Sequence, residues 1–183
     1  SLRRGKHVYL QKPLTHHVME ARVLGQEASK AGVTTQMGTQ LHSTIESRMT
    51  AEMIQSGAIG RVKEVICWEN KPASWWPTVT QRKAAADPIP STLSWDHWLG
   101  VAEEVPYLAG AYLPKQWRAW VDFGVGMRGD MGCHYFDLVF ACLKLGAIRR
   151  VRALGEGTSG ALYAMPRHLE LEFPGSELTA GDT

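Results

Sequence analysis

The sequence predicts a mixed α/β protein, and three stretches carry that prediction. A strand–helix–strand unit opens the chain, a long helix with an apolar stripe follows a glycine-rich segment at residues 124–129, and a strictly alternating run stands at residues 168–173. The first stretch implies parallel strands. The last implies a sheet with one wet and one buried face, because side chains alternate across a strand.

Ser1-Leu2-Arg3-Arg4-Gly5-Lys6 reads as the end of a helix with its glycine stop. His7-Val8-Tyr9-Leu10 is a short β-prone run that Pro13 ends, since proline donates nothing to a ladder. Thr15 is the expected N-cap of a helix that runs to about Lys30 and closes at Gly32. Val33-Thr34-Thr35-Gln36-Met37-Gly38 is a second short strand, and the whole forms a βαβ unit.

A second helix is expected at residues 43–55, where Ile45, Met49, Met53 and Ile54 recur at helical spacing and Gly57 and Gly60 follow. Residues 61–69 read as a strand with Val62, Val65 and Cys67 among its apolar members. Residues 70–116 are irregular, rich in proline and carrying Trp75, Trp76, Trp95 and Trp98; loops of this length usually form lids or binding walls. A short helical turn is expected near Trp95–Leu99. Residues 130–145 form the strongest helix, with Tyr135, Leu138, Val139, Cys142 and Leu145 as its stripe and Gly146 as its stop. Residues 151–155, 168–173 and 177–180 are β-like.

Composition narrows the function. Of 183 residues 44% are apolar, enough for a core. Lys plus Arg number 20 against 18 for Asp plus Glu, a net charge of +2, so no concentrated basic face argues for nucleic acid. No apolar run approaches the roughly 20 residues of a membrane span. Cys67, Cys133 and Cys142 form no C-x-x-C pair, which suggests neither a zinc knuckle nor a disulfide framework. Reduced thiols are the default, but they leave the compartment open between cytoplasm and periplasm.

Gly124-Val125-Gly126-Met127-Arg128-Gly129 matches G-x-G-x-x-G literally. A dinucleotide fingerprint also needs a buried strand before it and an acid about 20 residues on. A charged segment precedes this one, and Arg149 and Arg150 stand beyond it. The glycines are instead expected to allow close approach to a ligand and a sharp entry into the helix.

Asp130 and His134 are four apart, so one helix face can carry both, with Asp137 three further on. A carboxylate beside an imidazole orients it and raises its basicity, as a general base near neutral pH requires. The alternatives are an N-cap at Asp130 with a satisfied core histidine, or a metal site at Asp130, His134 and Asp137, for which no fourth ligand is signalled. Lys12 sits where a parallel strand ends, the edge at which open α/β sheets bind ligands. An ordinary surface lysine is the alternative there.

Gly5-Lys6-His7-Val8-Tyr9-Leu10-Gln11-Lys12-Pro13-Leu14 resembles the GKHVxxEKP segment of the glucose–fructose oxidoreductase, inositol dehydrogenase and rhizopine-catabolism (Gfo/Idh/MocA) family. Gly129-Asp130-Met131-Gly132-Cys133-His134-Tyr135-Phe136-Asp137 resembles its G-D-x-G-x-H-x-x-D segment, and Gln36-Met37-Gly38-Thr39-Gln40 and Gly57-Ala58-Ile59-Gly60 fall between them in order. Ser94-Trp95-Asp96-His97-Trp98-Leu99-Gly100 followed by Trp117-Arg118 is similar to a branch whose members often carry export signals.

The resemblance implies the carboxyl-terminal remnant of a Rossmann domain at residues 1–40. An α+β substrate and oligomerisation domain would follow at 41–183, with an open, mostly antiparallel sheet and helices on one face. It implies NAD or NADP as cofactor and a sugar or polyol as substrate. Cofactor contacts would come from Gln11, Lys12, Pro13 and Gln40, and substrate contacts from Trp117, Arg118, Asp130 and His134. His134 would be the acid/base, Lys12 would stabilise negative charge on oxygen, Asp130 would position substrate, and no metal takes part. Gln11 replaces the family's usual glutamate and removes a charge beside Lys12.

The front of the nucleotide domain and the finished end of the sheet are expected to lie outside these residues, so the piece alone is expected to bind cofactor weakly or not at all and to be inactive. An open sheet with an apolar face predicts a homodimer or larger homo-oligomer. An NAD-dependent glycoside hydrolase and a non-catalytic assembly module are the rival readings.

Overall fold

The computed structural model describes residues 1–69, 75–77, 79, 81–82, 85–154, 160–163 and 168–182. Their helices and strands make an α/β protein, as the sequence predicts, with small sheets of two strands each. The contacts divide the chain into two compact units. One holds Ser1–Cys67, Met131–Leu154 and Leu169–Thr183; the other holds Trp68–Asp130 and Gly155–His168.

In the first unit, strand β1 (Val8–Gln11) and strand β2 (Thr35–Gly38) pair in parallel, Val8 opposite Thr35 and Gln11 opposite Gly38. Helix α1 (Val18–Ala31) joins them and closes at Gly32, whose φ of 60° is a left-handed conformation that glycine adopts at no steric cost. Its N-cap is His17, not the expected Thr15. Glu20 reaches back to accept from the His16 and His17 amides at 2.8 and 2.9 Å, a stronger start than the Thr15 hydroxyl provides. A 3-10 turn at Gln40–Ser43 follows β2 directly, and Thr44 caps helix α2 (Ile45–Gln55) by accepting from the Ser47 amide.

Helix α2 forms as its spacing predicts, and its stripe lies at the surface: Ile45, Met49 and Met53 are all more than half exposed, since a two-stranded pair and its helices offer little to bury them against. Two strand expectations in this unit fail. Residues 61–69 form no strand among those described. Val62 makes an isolated bridge to Thr179, through Val62 N to Leu178 O and Ala180 N to Val62 O. Residues 177–180 are likewise a turn around that bridge.

Helix α4 (Gly126–Leu143) starts four residues before the predicted point, the short helix α3 (Trp95–Leu99) having formed as expected. Gly126 enters α4 with φ 67°, and Lys144, at φ 50°, ends it before the expected Gly146. Strand β3 (Arg150–Leu154) pairs with β4 (His168–Glu172). The ion pairs Arg150–Glu172 and Arg152–Glu170 step in opposite directions along the two chains, as antiparallel strands require.

The second unit holds the main core. Trp95, Leu99, Val105, Tyr107, Leu108, Ala111, Tyr112, Ala119, Trp120 and Leu162 form one cluster. The indole nitrogens are satisfied by backbone, Trp95 donating to Val105 O at 2.8 Å and Trp120 to Ala111 O at 2.7 Å. The described residues of the segment expected to be a lid or binding wall thus supply most of this buried cluster, from Trp95 to Tyr112. Part of that segment, residues 70–74, 78, 80 and 83–84, lies outside the described residues, as do Gly155 of the predicted strand and residues 164–167.

Candidate active site

The carboxyl ends of β1 and β2 carry the residues expected to meet a cofactor. The Gln11 amide donates to Gly38 O across the pair at 3.1 Å. A Cβ on Gly38 would stand 3.0 Å from Gln11 Oε1 and 3.1 Å from the Tyr9 hydroxyl, so glycine leaves room for the Gln11 side chain to lie over the strand end. An amide can donate to that carbonyl, and an ionised carboxylate in its place could not. Lys12 and Pro13 follow, half-buried and joined by a cis peptide bond. Thr39 follows β2 and is buried, its Oγ1 without a hydrogen-bond partner among the described residues, and Gln40 is exposed at the start of the 3-10 turn.

The same turn reaches α4. His42 Nδ1 lies 2.8 Å from Asp137 Oδ2. A carboxylate only accepts, so the ring nitrogen donates. Asp137 is three residues beyond His134, which is itself buried. Gln55, the last residue of α2, donates to Ala141 O at 2.9 Å, a second tie to α4. Sequence reasoning singled out Asp137 but missed His42. The two are 95 positions apart, and the only local signal was a histidine two residues after Gln40.

In the second unit Trp117, Arg118 and Asp130 come together. The Arg118 Nε donates to Asp130 Oδ2 at 3.0 Å, and both side chains are largely removed from water, Asp130 to 5% exposure. The guanidinium carbon lies 4.5 Å from the Trp117 ring centre and 4.9 Å from that of Trp75. Two indole faces thus hold a planar cation, and its charge-assisted bond fixes the carboxylate. The N-cap reading of Asp130 is overturned, because α4 begins at Gly126 and places Asp130 one turn inside the helix. Asp130 and His134 are one further turn apart on α4, both buried.

The glycine-rich segment makes no phosphate loop. A Cβ on Gly124 would overlap the backbone of Arg118, one on Gly126 would stand 3.0 Å from the Tyr163 ring, and one on Gly129 2.6 Å from the Val125 side chain. The close approach expected here is to the chain itself. Asp137 turns to His42 and Asp130 to Arg118, and among the described residues no group of three acidic, histidine or cysteine side chains is placed to hold a metal. Burial pushes the Cys142 thiol up, away from the reactive thiolate.

A family model described as the C-terminal alpha/beta domain of an oxidoreductase family matches residues 43–149. No curated protein matches the chain. The match covers more than half of the sequence, including α4 with Asp130, His134 and Asp137: the chain belongs to the Gfo/Idh/MocA family of oxidoreductases.

Proposed function

We propose that the chain serves the NAD(P)-dependent oxidation or reduction of a sugar, polyol or related carbinol, with His134 as acid/base and Lys12 at the reacting oxygen. The observation that carries this reading is the His42–Asp137 hydrogen bond. It ties α4, one turn from His134, to the 3-10 turn that leaves the carboxyl end of β2. Ligands of parallel sheets bind at that end.

The residues fit the nicotinamide end of such a cofactor. Gln11, Lys12, Pro13 and Gln40 would hold it, and the buried Thr39 hydroxyl, which has no hydrogen-bond partner among the described residues, supports a ligand that bonds there. When bound, the nicotinamide supplies the hydride acceptor or donor. His134 takes the hydroxyl proton as the carbonyl forms, and its burial keeps bulk water from competing. The Lys12 ammonium stabilises negative charge on the same oxygen. Arg118 and its two indoles fix Asp130, which orients a neighbouring hydroxyl.

Assays of nicotinamide reduction over a panel of polyols and aldoses, with aryl glycosides beside them, test this, run with these residues joined to a complete nucleotide-binding domain because the piece alone is expected to be inactive. Turnover of a carbinol that falls by about a hundredfold or more in both His134→Ala and Lys12→Ala is expected. Release of aryl alcohol without net cofactor reduction would replace the dehydrogenase by the glycosidase reading. No turnover of either class would remove the catalytic reading. We also propose a second copy as partner of the β3–β4 sheet, since all five residues of β3 are exposed, Val151 by 58%. Light scattering checks this: a dimer or larger species supports it, and a monomer at micromolar concentration contradicts it.

A further inference from the structure

We infer that His42 is a positioning residue, which through Asp137 holds His134 in register with the strand end that carries Lys12. The inference rests on the acid/base role proposed above for His134. It begins from how firmly His42 is placed. Its own amide donates to Thr39 O at 3.1 Å. The neighbouring Leu41 carbonyl accepts from the Thr44 amide at 3.2 Å, the Thr44 hydroxyl at 3.0 Å and the Ser47 hydroxyl at 2.8 Å. A turn pinned by four bonds presents the imidazole from a nearly fixed backbone.

The target is equally fixed. Asp137 is half-buried on α4, and residues three apart on a helix are neighbours, so its carboxylate and the His134 ring belong to one face. A partly exposed imidazole–carboxylate contact adds little to stability, on the order of 0–1 kcal/mol. Its consequence is geometric. Without the bond, α4 loses its tie to the turn near His134, while Gln55 still holds it further along at Ala141 O, and acid/base chemistry is sensitive to displacements of about 1 Å. The side chain acts through another residue and does not itself touch substrate.

His42→Leu and His42→Asn separate this role from simple packing. The asparagine amide nitrogen can stand near the place of Nδ1 and donate the same bond, whereas leucine cannot. With a carbinol that the wild-type protein turns over, His42→Leu is expected to lower kcat about tenfold with little change in KM. The melting temperature should scarcely move, and His42→Asn should restore most of the rate. Equal loss in both variants, or none in either, overturns the inference.

Two readouts need no turnover. Nitrogen-15 spectra of the neutral His42 ring should show the proton on Nδ1 in the wild-type protein and a loss of that preference in Asp137→Ala, which removes the acceptor. Amide exchange in residues 40–43 and 134–137 should quicken in His42→Leu. A proton on Nε2, or unchanged exchange, contradicts the positioning role even if no carbinol is oxidised. Normal readouts with no oxidation of any carbinol would locate the failure in the proposed function instead.

Discussion

The two compact units of this chain bury their side chains by opposite rules. The unit of Trp68–Asp130 and Gly155–His168 has little regular structure among its described residues, yet it contains Trp120, Tyr112, Ala111 and Ala119, all at 0% exposure. The unit that holds β1, α1, β2 and α2 has the cleaner periodicity, and neither of those helices buries a residue. Regular spacing therefore reports which elements form here, not where water is excluded. Stacked and edge-on rings hold the first unit together: Trp95 and Trp98 lie parallel at 4.8 Å, with Tyr107 and Tyr112 against Trp95 at 5.2 and 5.4 Å.

The sharpest way to break the comparison is Trp120→Ala. The loss of a fully buried indole and its bond to Ala111 O should cost about 3–5 kcal/mol. Urea unfolding would show it as a lowered midpoint at an unchanged slope. A cost near zero would mean that the aromatic cluster is not a core.

Much of the first unit was legible from local chemistry. Gly5 and Gly32 marked their stops because each sits at a left-handed turn, with φ 67° and 60°. The β-prone runs between them gave two parallel strands, and the glycines before α4 marked its approach. The errors came where a distant partner decides the outcome. The stripe of α2 predicted the helix correctly but said nothing of what would cover Ile45 or Met49. The Trp95 and Trp120 core is built from residues without a common period, so no pattern announced it. Within the candidate site, family motifs pointed to Asp130 and His134. Trp75 around Arg118 and His42 on Asp137 depend on contacts 43 and 95 residues apart, which spacing does not encode.

Arg118→Ala should come next in size. It leaves the buried Asp130 carboxylate without its guanidinium, a loss of about 3 kcal/mol by denaturant unfolding. Arg118→Lys keeps the charge but not the plane between Trp75 and Trp117, and is expected to recover only part of it. Full recovery would show that the indole sandwich contributes nothing.

The opposite outcome is expected in the first unit. Ile45→Ser and Met49→Ser should each change the unfolding free energy of the chain by no more than about 0.5 kcal/mol, because both side chains already face water. A loss of about 2 kcal/mol or more that grows with protein concentration would reveal a second copy over that face.

The smallest effect is electrostatic. The His17 and His16 amides hold the Glu20 carboxyl below the usual carboxylate range. A lowered value in the folded state means a contribution present above the unfolded value and lost as pH falls through the folded one. Glu20→Gln should therefore weaken the start of α1 at neutral pH, and the difference from wild type should vanish in acid. Helicity followed by circular dichroism across that range checks the sign, and a difference that grows on acidification would reverse it.

The proposed chemistry requires Lys12 and His134 to serve one reacting oxygen, and a double-mutant cycle on kcat/KM addresses that most directly. If the two act on the same transition state, Lys12→Ala with His134→Ala should fall little further than the worse single variant, within about tenfold. Two losses that multiply in full would place the lysine and the histidine in separate tasks and contradict the proposed chemistry.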